Sequence, residues 1–507
     1  MLVVFIPLIP FICSVLLLNM DRHPSHRRLA SLTGSVSILL TLILTAVLAG
    51  SPEIKTPVEY LFSPLFNLPG TAEPLSFSLI VDALTLRWLI YLSLAVIPFQ
   101  VLHSLHRNPD FHATGKLAAI HLAQAGLNTL FLAGSLVTGV IGWGLALGAI
   151  ILSNAGPATP DSRKRFPGFM TLMLTVFFLI AAIFLFYAVI GKLSYTNDPL
   201  NQMTLLQTML ASKARGIVIS VLSTAGALLL LSVLPGMGLI PFTGWLDDTR
   251  DTHDLNALFI FTAIMPAGII MLERYAWFYS LIPGLRMTLL AIALISLCLS
   301  WLAGFGFNNN RLILPWLAVT ATSLLCTAFC LRLHGGVPFL LASVYPGFLL
   351  LGIGRILRTA FQSPRGKTIQ GAGLILPIAV LIAYIAGRSP DIRNSLLAAG
   401  MITAFLIPAF RVFRNTSENP SDSTLFASSI GWTAYTYFGM PAFLKFGIAV
   451  PIQQIADGFW TLETYYNQFW QFGLGKLLNR WARLMWLFDC WFIKSRREHT
   501  EIKVDKL

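Results

Sequence analysis

Three uninterrupted apolar segments, residues 120–152, 169–190 and 287–307, carry no Asp, Glu, Lys or Arg. A helix needs about 20 apolar residues to cross a bilayer. Inside lipid its backbone groups must be satisfied without water, which an α-helix does within one segment. Runs of this length therefore fix the class as an all-α polytopic membrane protein. Composition agrees, with 11% charged residues and 56% hydrophobic ones among 507, against about 25% charged in soluble domains.

Hydropathy predicts about fourteen spans, near residues 1–20, 30–49, 83–103, 117–134, 135–153, 168–190, 215–235, 256–280, 286–306, 312–332, 337–357, 370–387, 393–412 and 428–451. The first span has no basic leader and no small-residue cleavage site, so it reads as a retained helix. The clusters DRHPSHRR, HSLHRNPDFHATGK, PDSRKRF, RILRTAFQSPRGK and RVFRN all fall on one side of this count. Basic residues in short loops mark the cytoplasmic or matrix side. That placement accounts for the excess of 35 Lys and Arg over 22 acids without a nucleic-acid partner. The expected location is a bacterial inner membrane. The five cysteines are scattered, and Cys326 and Cys330 have no accompanying His or second pair. They read as buried small side chains, and no metal or cofactor is expected.

Two segments are not spans. Residues 51–79 are rich in Pro and mix apolar with polar side chains, as an ordered outer loop with short strands would. Near the C-terminus, Lys476, Asn479, Arg480 and Arg483 recur at helical spacing among Leu, Trp, Met and Phe. That pattern predicts an amphipathic helix along the membrane surface, near 472–493; a fifteenth span is the competing reading. A third feature interrupts a span. In LSVLPGMGLIPFTGWLDDTRD, residues Pro235, Gly236, Gly238 and Pro241 follow an apolar run. Either the helix ends at a surface loop, or it breaks within the membrane, where only burial in protein or facing a water cavity sustains free backbone groups.

The continuation LIPFTGWLDD…ALFIFTAIMPAGIIMLER resembles the signature of the antiporter-like membrane subunits of respiratory complex I and Mrp cation antiporters, roughly LPLHTWLPDA, a loop, then SALIHAATMVTAGVYLLAR. Ile240, Pro241, Trp245, Asp248, Met265, Gly268 and Arg274 are among the matching positions. FSLIVDALTL is similar to the VDGLS element, with Asp82 as its acid, and VIGWGLALGAIIL to the family's fifth helix. The tail GFWTLETYYNQFWQFGLGKLLNRWARLMWLF resembles that of the chain-5 (L) type. The resemblance implies two inverted five-helix repeats with broken helices, at Pro235 and at Pro377. The resulting organisation is an N-terminal part over 1–116 with the outer loop 51–79, units at 117–280 and 286–412, and a C-terminal part over 413–507.

The family's chemistry is ion passage through buried charges, and here those charges are missing. The fifth-helix Glu is replaced by Gly144, and the seventh-helix Lys by Gly236 or Met237. The eighth-helix His falls at Ile260 or Phe261. The HAFFKA pattern of the tenth and eleventh helices falls at SVYPGF, with Ser343 for the His and Gly347 for the Lys. A charge at the bilayer centre costs about 2.5–3.5 kcal/mol on insertion scales, so one is kept for a purpose. Asp82, His121, Glu273, Arg274 and Lys445 remain as candidate ion-path or structural charges, beside Arg332 and Arg355. His121 suits a satisfied histidine, Glu273 and Arg274 a local ion pair, and Lys445 an interhelical pair or a snorkelling position. The expected role is a structural or docking subunit of a multisubunit respiratory-type complex, partnered by other membrane subunits and lipid. Two alternatives are an active proton or cation translocator with a relocated path, and the membrane subunit of an energy-coupled inorganic-carbon uptake pair.

Overall fold

The computed structural model describes residues 2–20, 27–50, 58–66, 75–105, 113–154, 166–190, 215–239, 254–306, 310–333, 335–359, 363–387 and 392–414. They fall in one compact unit, Met1–Leu425; a second, Phe426–Leu507, lies outside the described residues. So do the predicted span at 428–451, the amphipathic tail helix, Lys445 and Pro241.

Thirteen long helices carry the described chain. They are α1 (Phe5–Met20), α2 (Arg27–Ala49), α3 (Ala83–Leu105), α4 (Ala113–Phe131), α5 (Leu136–Asn154), α6 (Phe166–Ile190) and α7 (Arg215–Val233). Next comes α8, a rod in three parts: Asp254–Phe259, a π-helical Ile260–Ile264 and Met265–Arg274. There follow α9 (Pro283–Gly306), α10 (Asn310–Cys330), α11 (Gly336–Thr359), α12 (Arg365–Gly387) and α13 (Ile392–Arg414). Among the described residues, ten helices are long and apolar enough to cross a membrane. The total of fourteen spans is thus not established. The predicted eighth span, 256–280, ends earlier: helical geometry fails at Tyr275 (φ −102°, ψ 18°), and a short helix, Ala276–Leu281, follows. Pro377 does not break its helix, since α12 runs through it.

The interior of the bundle is set by α4 and α8. Helix α4 carries Lys116, His121, Gln124 and Asn128, which dilute its hydropathy. Lipid would reject these groups, and the fold places most of them in protein. Ser14 Oγ of α1 donates to Ala118 O at 2.8 Å, and Asn128 Nδ2 donates to Ile6 O at 3.0 Å. The membrane span within α8 is 94% buried. By contrast α1, α2 and α12 expose apolar side chains such as Phe5, Leu39 and Ile382, as lipid-facing helices do.

Helices pair closely where glycine permits. A Cβ on Gly142 would lie 2.4 Å from Leu130 N, which holds α4 against α5. Helix α11 meets α12 the same way, with Gly347 facing Gly373 O and Gly354 facing Gly366 O. Small residues let helix backbones approach when lipid supplies no hydrophobic drive. The close pairs α4 with α5 and α6 with α7 recur later in the chain as α9 with α10 and α11 with α12.

The loop before α3 forms an antiparallel hairpin, β1 (Val58–Phe66) and β2 (Leu75–Val81), with register irregularities around Pro64. A strand proline removes a ladder donor. The hairpin is tied to the α4–α5 turn: Ile80 N donates to Leu132 O at 2.7 Å, and Gly134 N to Ser78 O at 2.9 Å.

Candidate functional site

Helix α7 ends at Val233 in a tight turn. Leu239 N donates back to Leu234 O at 3.3 Å, Gly238 N to Pro235 O at 2.9 Å, and Gly238 takes a left-handed φ of 65°. Only glycine adopts that conformation without strain, so it closes the orphan carbonyls of a helix end. Residues 232–239 are all buried. A Cβ on Gly236 would sit 2.2 Å from Trp143 Cζ2, and Trp143 Nε1 donates to Ser232 O at 3.1 Å. Trp143 is seven residues into α5, or about 10 Å from its start. The turn therefore lies within the bundle.

The positions that the sequence resemblance aligns with the family's charged residues are largely packed shut. Gly236 is filled by the Trp143 ring, and Met237 is fully buried. Ile260 and Phe261 are 2% exposed and lie in the π-helical turn, where Tyr91 OH donates to Thr262 O. Ser343 Oγ spends its proton on Phe339 O at 2.7 Å. A Cβ on Gly347 would lie 2.7 Å from Pro377 Cγ and 2.8 Å from Gly373 O. Gly144 differs, with its nearest neighbour, Val176, at 3.8 Å. Between α10 and α11, Tyr345 OH lies 3.2 Å from Thr322 Oγ1, and the Tyr345 ring meets Tyr91 edge-on. Sequence reading passed over this Tyr–Thr seam, because single hydroxyl residues in apolar helices have no spacing signature.

Three of the remaining charges meet in one cluster, where α3 begins, α4 ends and α8 ends. Asp82 caps α3, accepting Thr85 N–H at 2.7 Å. Arg274 forks onto both carboxylate oxygens of Asp82, reaches Thr85 Oγ1 at 2.7 Å and Phe131 O at 3.4 Å. Burial alone would push the Asp82 carboxyl up. The Arg274 charge and its hydrogen bonds, with those of Thr85, outweigh that and hold it below the usual 3.8. Glu273 turns the other way, accepting Trp88 Nε1–H at 3.1 Å and lying 3.7 Å from Arg87. The arrangement is a lock between distant parts of the chain.

His121 lies elsewhere, ten residues before Phe131 on α4, hence about 15 Å from this cluster along the helix. It is fully buried, and neither ring nitrogen has a partner at hydrogen-bonding geometry, although Gln124 approaches it. On α2, Gly34 leaves room where a Cβ would be 2.9 Å from His121 Nε2 and 2.7 Å from Gln100 Oε1. Gln100 Nε2 donates to Ser31 O at 2.8 Å, while its Oε1 has no partner. The groups form a closely packed polar cluster between α2, α3 and α4. Its sequence signal was only a Gln and a His on separate apolar helices.

No sequence-family model matches the chain, and no curated protein matches it. Solved structures do. A chain of the membrane-bound sulfane sulfur reductase (MBS), an archaeal respiratory membrane complex, superposes with a TM-score of 0.61 at 12% identity, covering 91% of this chain and 96% of that one. A chain of the Mrp complex from Dietzia sp. DQ12-45-1b gives a TM-score of 0.60 at 12% identity, over 88% of this chain and 51% of that one. The shared property is the fold.

Proposed function

We propose that this chain, folded like the antiporter-like membrane subunits, is a structural or docking subunit of a multisubunit respiratory-type complex in a bacterial cytoplasmic membrane. In this reading it consists of two inverted five-helix units, near 117–280 and 286–412, the first broken at Pro235 and Gly236. The observation that carries the proposal is the closure of the relay positions. Gly236 and Gly347 lack both an ionisable group and the volume to hold one. Asp82, Arg87, Glu273 and Arg274 form two ion pairs side by side, where α3 begins and α8 ends. A path without protonatable groups in low dielectric presents a barrier to charge that nothing at these positions lowers. The test is proton flux in liposomes holding the native assembly, normalised to assembled protein. Glu273→Gln and Lys445→Ala should each retain the parental flux; a collapse in Lys445→Ala at full assembly would overturn the scaffold role.

One observation favours a second reading, a translocator with a relocated path. Unpartnered polar atoms of His121 and Gln100 inside the bundle are costly unless water or an ion satisfies them. His121→Phe separates the two: unchanged flux supports the scaffold, and lost flux at full assembly supports the relocated path.

A further inference from the structure

The basic segment RILRTAFQSPRGK joins α11 to α12. The two helices cross here at backbone contact. A Cβ on Gly354 would be 2.6 Å from Gly366 O, and one on Gly366 would be 2.8 Å from Arg358 N and 3.0 Å from Arg358 Cβ. The Arg358 side chain therefore leaves α11 beside the first turn of α12, the positive end of a helix dipole. Arg365 and Lys367 on that turn are exposed. Arg358 Nη1 is buried with no hydrogen-bond partner. Gln370, one turn deeper and fully buried, has neither Oε1 nor Nε2 paired. Helical side chains lean toward their own N-terminus, so this carboxamide points back to the same turn. Below it an apolar track descends the outer face of α12: Gly371 with open space beside it, then Ile375, Ile378, Ile382 and Ile385, all exposed.

We infer that the α11–α12 junction binds an anionic phospholipid by its headgroup. The phosphate sits against Arg358, Lys367 and the first turn of α12, and an acyl chain follows the isoleucine track. Charge complementarity selects an anion, and the continuous track below selects one that carries a hydrocarbon tail. Basic pockets between helices at the membrane surface have this chemistry. A phosphate supplies the acceptors that Arg358 Nη1 and Gln370 Nε2 lack. A headgroup hydroxyl, as in phosphatidylglycerol, supplies the donor that Gln370 Oε1 lacks. This inference is independent of whether the chain moves protons.

The test is native mass spectrometry of the full chain in detergent, titrated with phosphatidylglycerol or with phosphatidylcholine. Phosphatidylglycerol should bind about tenfold more tightly than phosphatidylcholine, and Arg358→Ala with Lys367→Ala should remove that preference. Arg358→Lys with Lys367→Arg should keep it within about twofold. Should the double alanine variant fail to fold, Lys367→Glu, at an exposed position, should still weaken phosphatidylglycerol binding at least fivefold (about the effect of losing one surface charge). Equal affinity for the two lipids, or unchanged binding in Lys367→Glu, would overturn the site. Displacement of bound phosphatidylglycerol by millimolar inorganic phosphate would also overturn it, because the site would then be one for free phosphate.

Discussion

Asp82 and Arg274 are 192 residues apart in sequence and form a forked ion pair with side-chain exposures of 16% and 8%. Breaking a buried pair from one side strands the other charge and costs about 3–5 kcal/mol. Removing both partners together costs less than the sum of the single losses. Arg274→Ala should therefore lower thermal stability in detergent more than Asp82→Ala with Arg274→Ala does relative to Asp82→Ala. The pair also sets a pH dependence. The folded carboxyl lies below 3.8, its ordinary value, so its contribution is complete above that pH and is lost as pH falls through the folded value. The stability gap between wild type and Asp82→Asn should be constant from neutral pH down to about 5 and shrink below about 4. A gap that widens on acidification would mean that Asp82 is protonated in the native state.

Among the elements, the end of α7 shows best how neighbouring helices decide what a position can hold. Gly144 and Gly236 are both positions that the resemblance aligns with charged residues, yet only Gly144 has space around it. Gly236→Ala should destabilise the bundle by about 1–3 kcal/mol, the range for overpacking a filled core. Gly144→Ala should be neutral or slightly stabilising, since alanine is the better helix former. Melting temperatures of the two variants in one detergent check both. Equal effects would mean that Trp143 moves aside and that the turn is looser than its packing indicates. The π-helical turn in α8 belongs to this scale too, because a Tyr91 hydroxyl meets a carbonyl within it. The hydropathy of IFTAIMPAG reads as plain α-helix.

At the scale of the molecule, orientation follows from where the basic loops fall. Reporter fusions at Arg28, Arg165 and Arg365 should all report the cytoplasmic side. Opposite sides for Arg28 and Arg165 would mean that one of the four helices between them, α2 to α5, or α1's neighbour loop, is misassigned.

Hydropathy by itself determined that the chain crosses a membrane, placed most helices within a few residues, and marked the Pro-rich outer segment as something other than a span. Transfer from water to lipid is a local property, summed residue by residue, so a linear reading captures it. Which helices face protein did not emerge this way, because lipid and a packed interior are equally apolar. The polar residues of α4 hint at its interior place, but the wholly apolar helices carry no such mark, and only packing shows that the span within α8 is enclosed while α12 is peripheral. The match of Asp82 and Arg274 to family motifs gave no sign that the two touch, and nothing near Gly34 announced that His121 and Gln100 converge on it. The glycine at 236 was legible from the sequence; the ring of Trp143 standing in the space beside it was not. Such contacts depend on the crossing of helices distant in sequence, and only the tertiary structure decides where those helices meet.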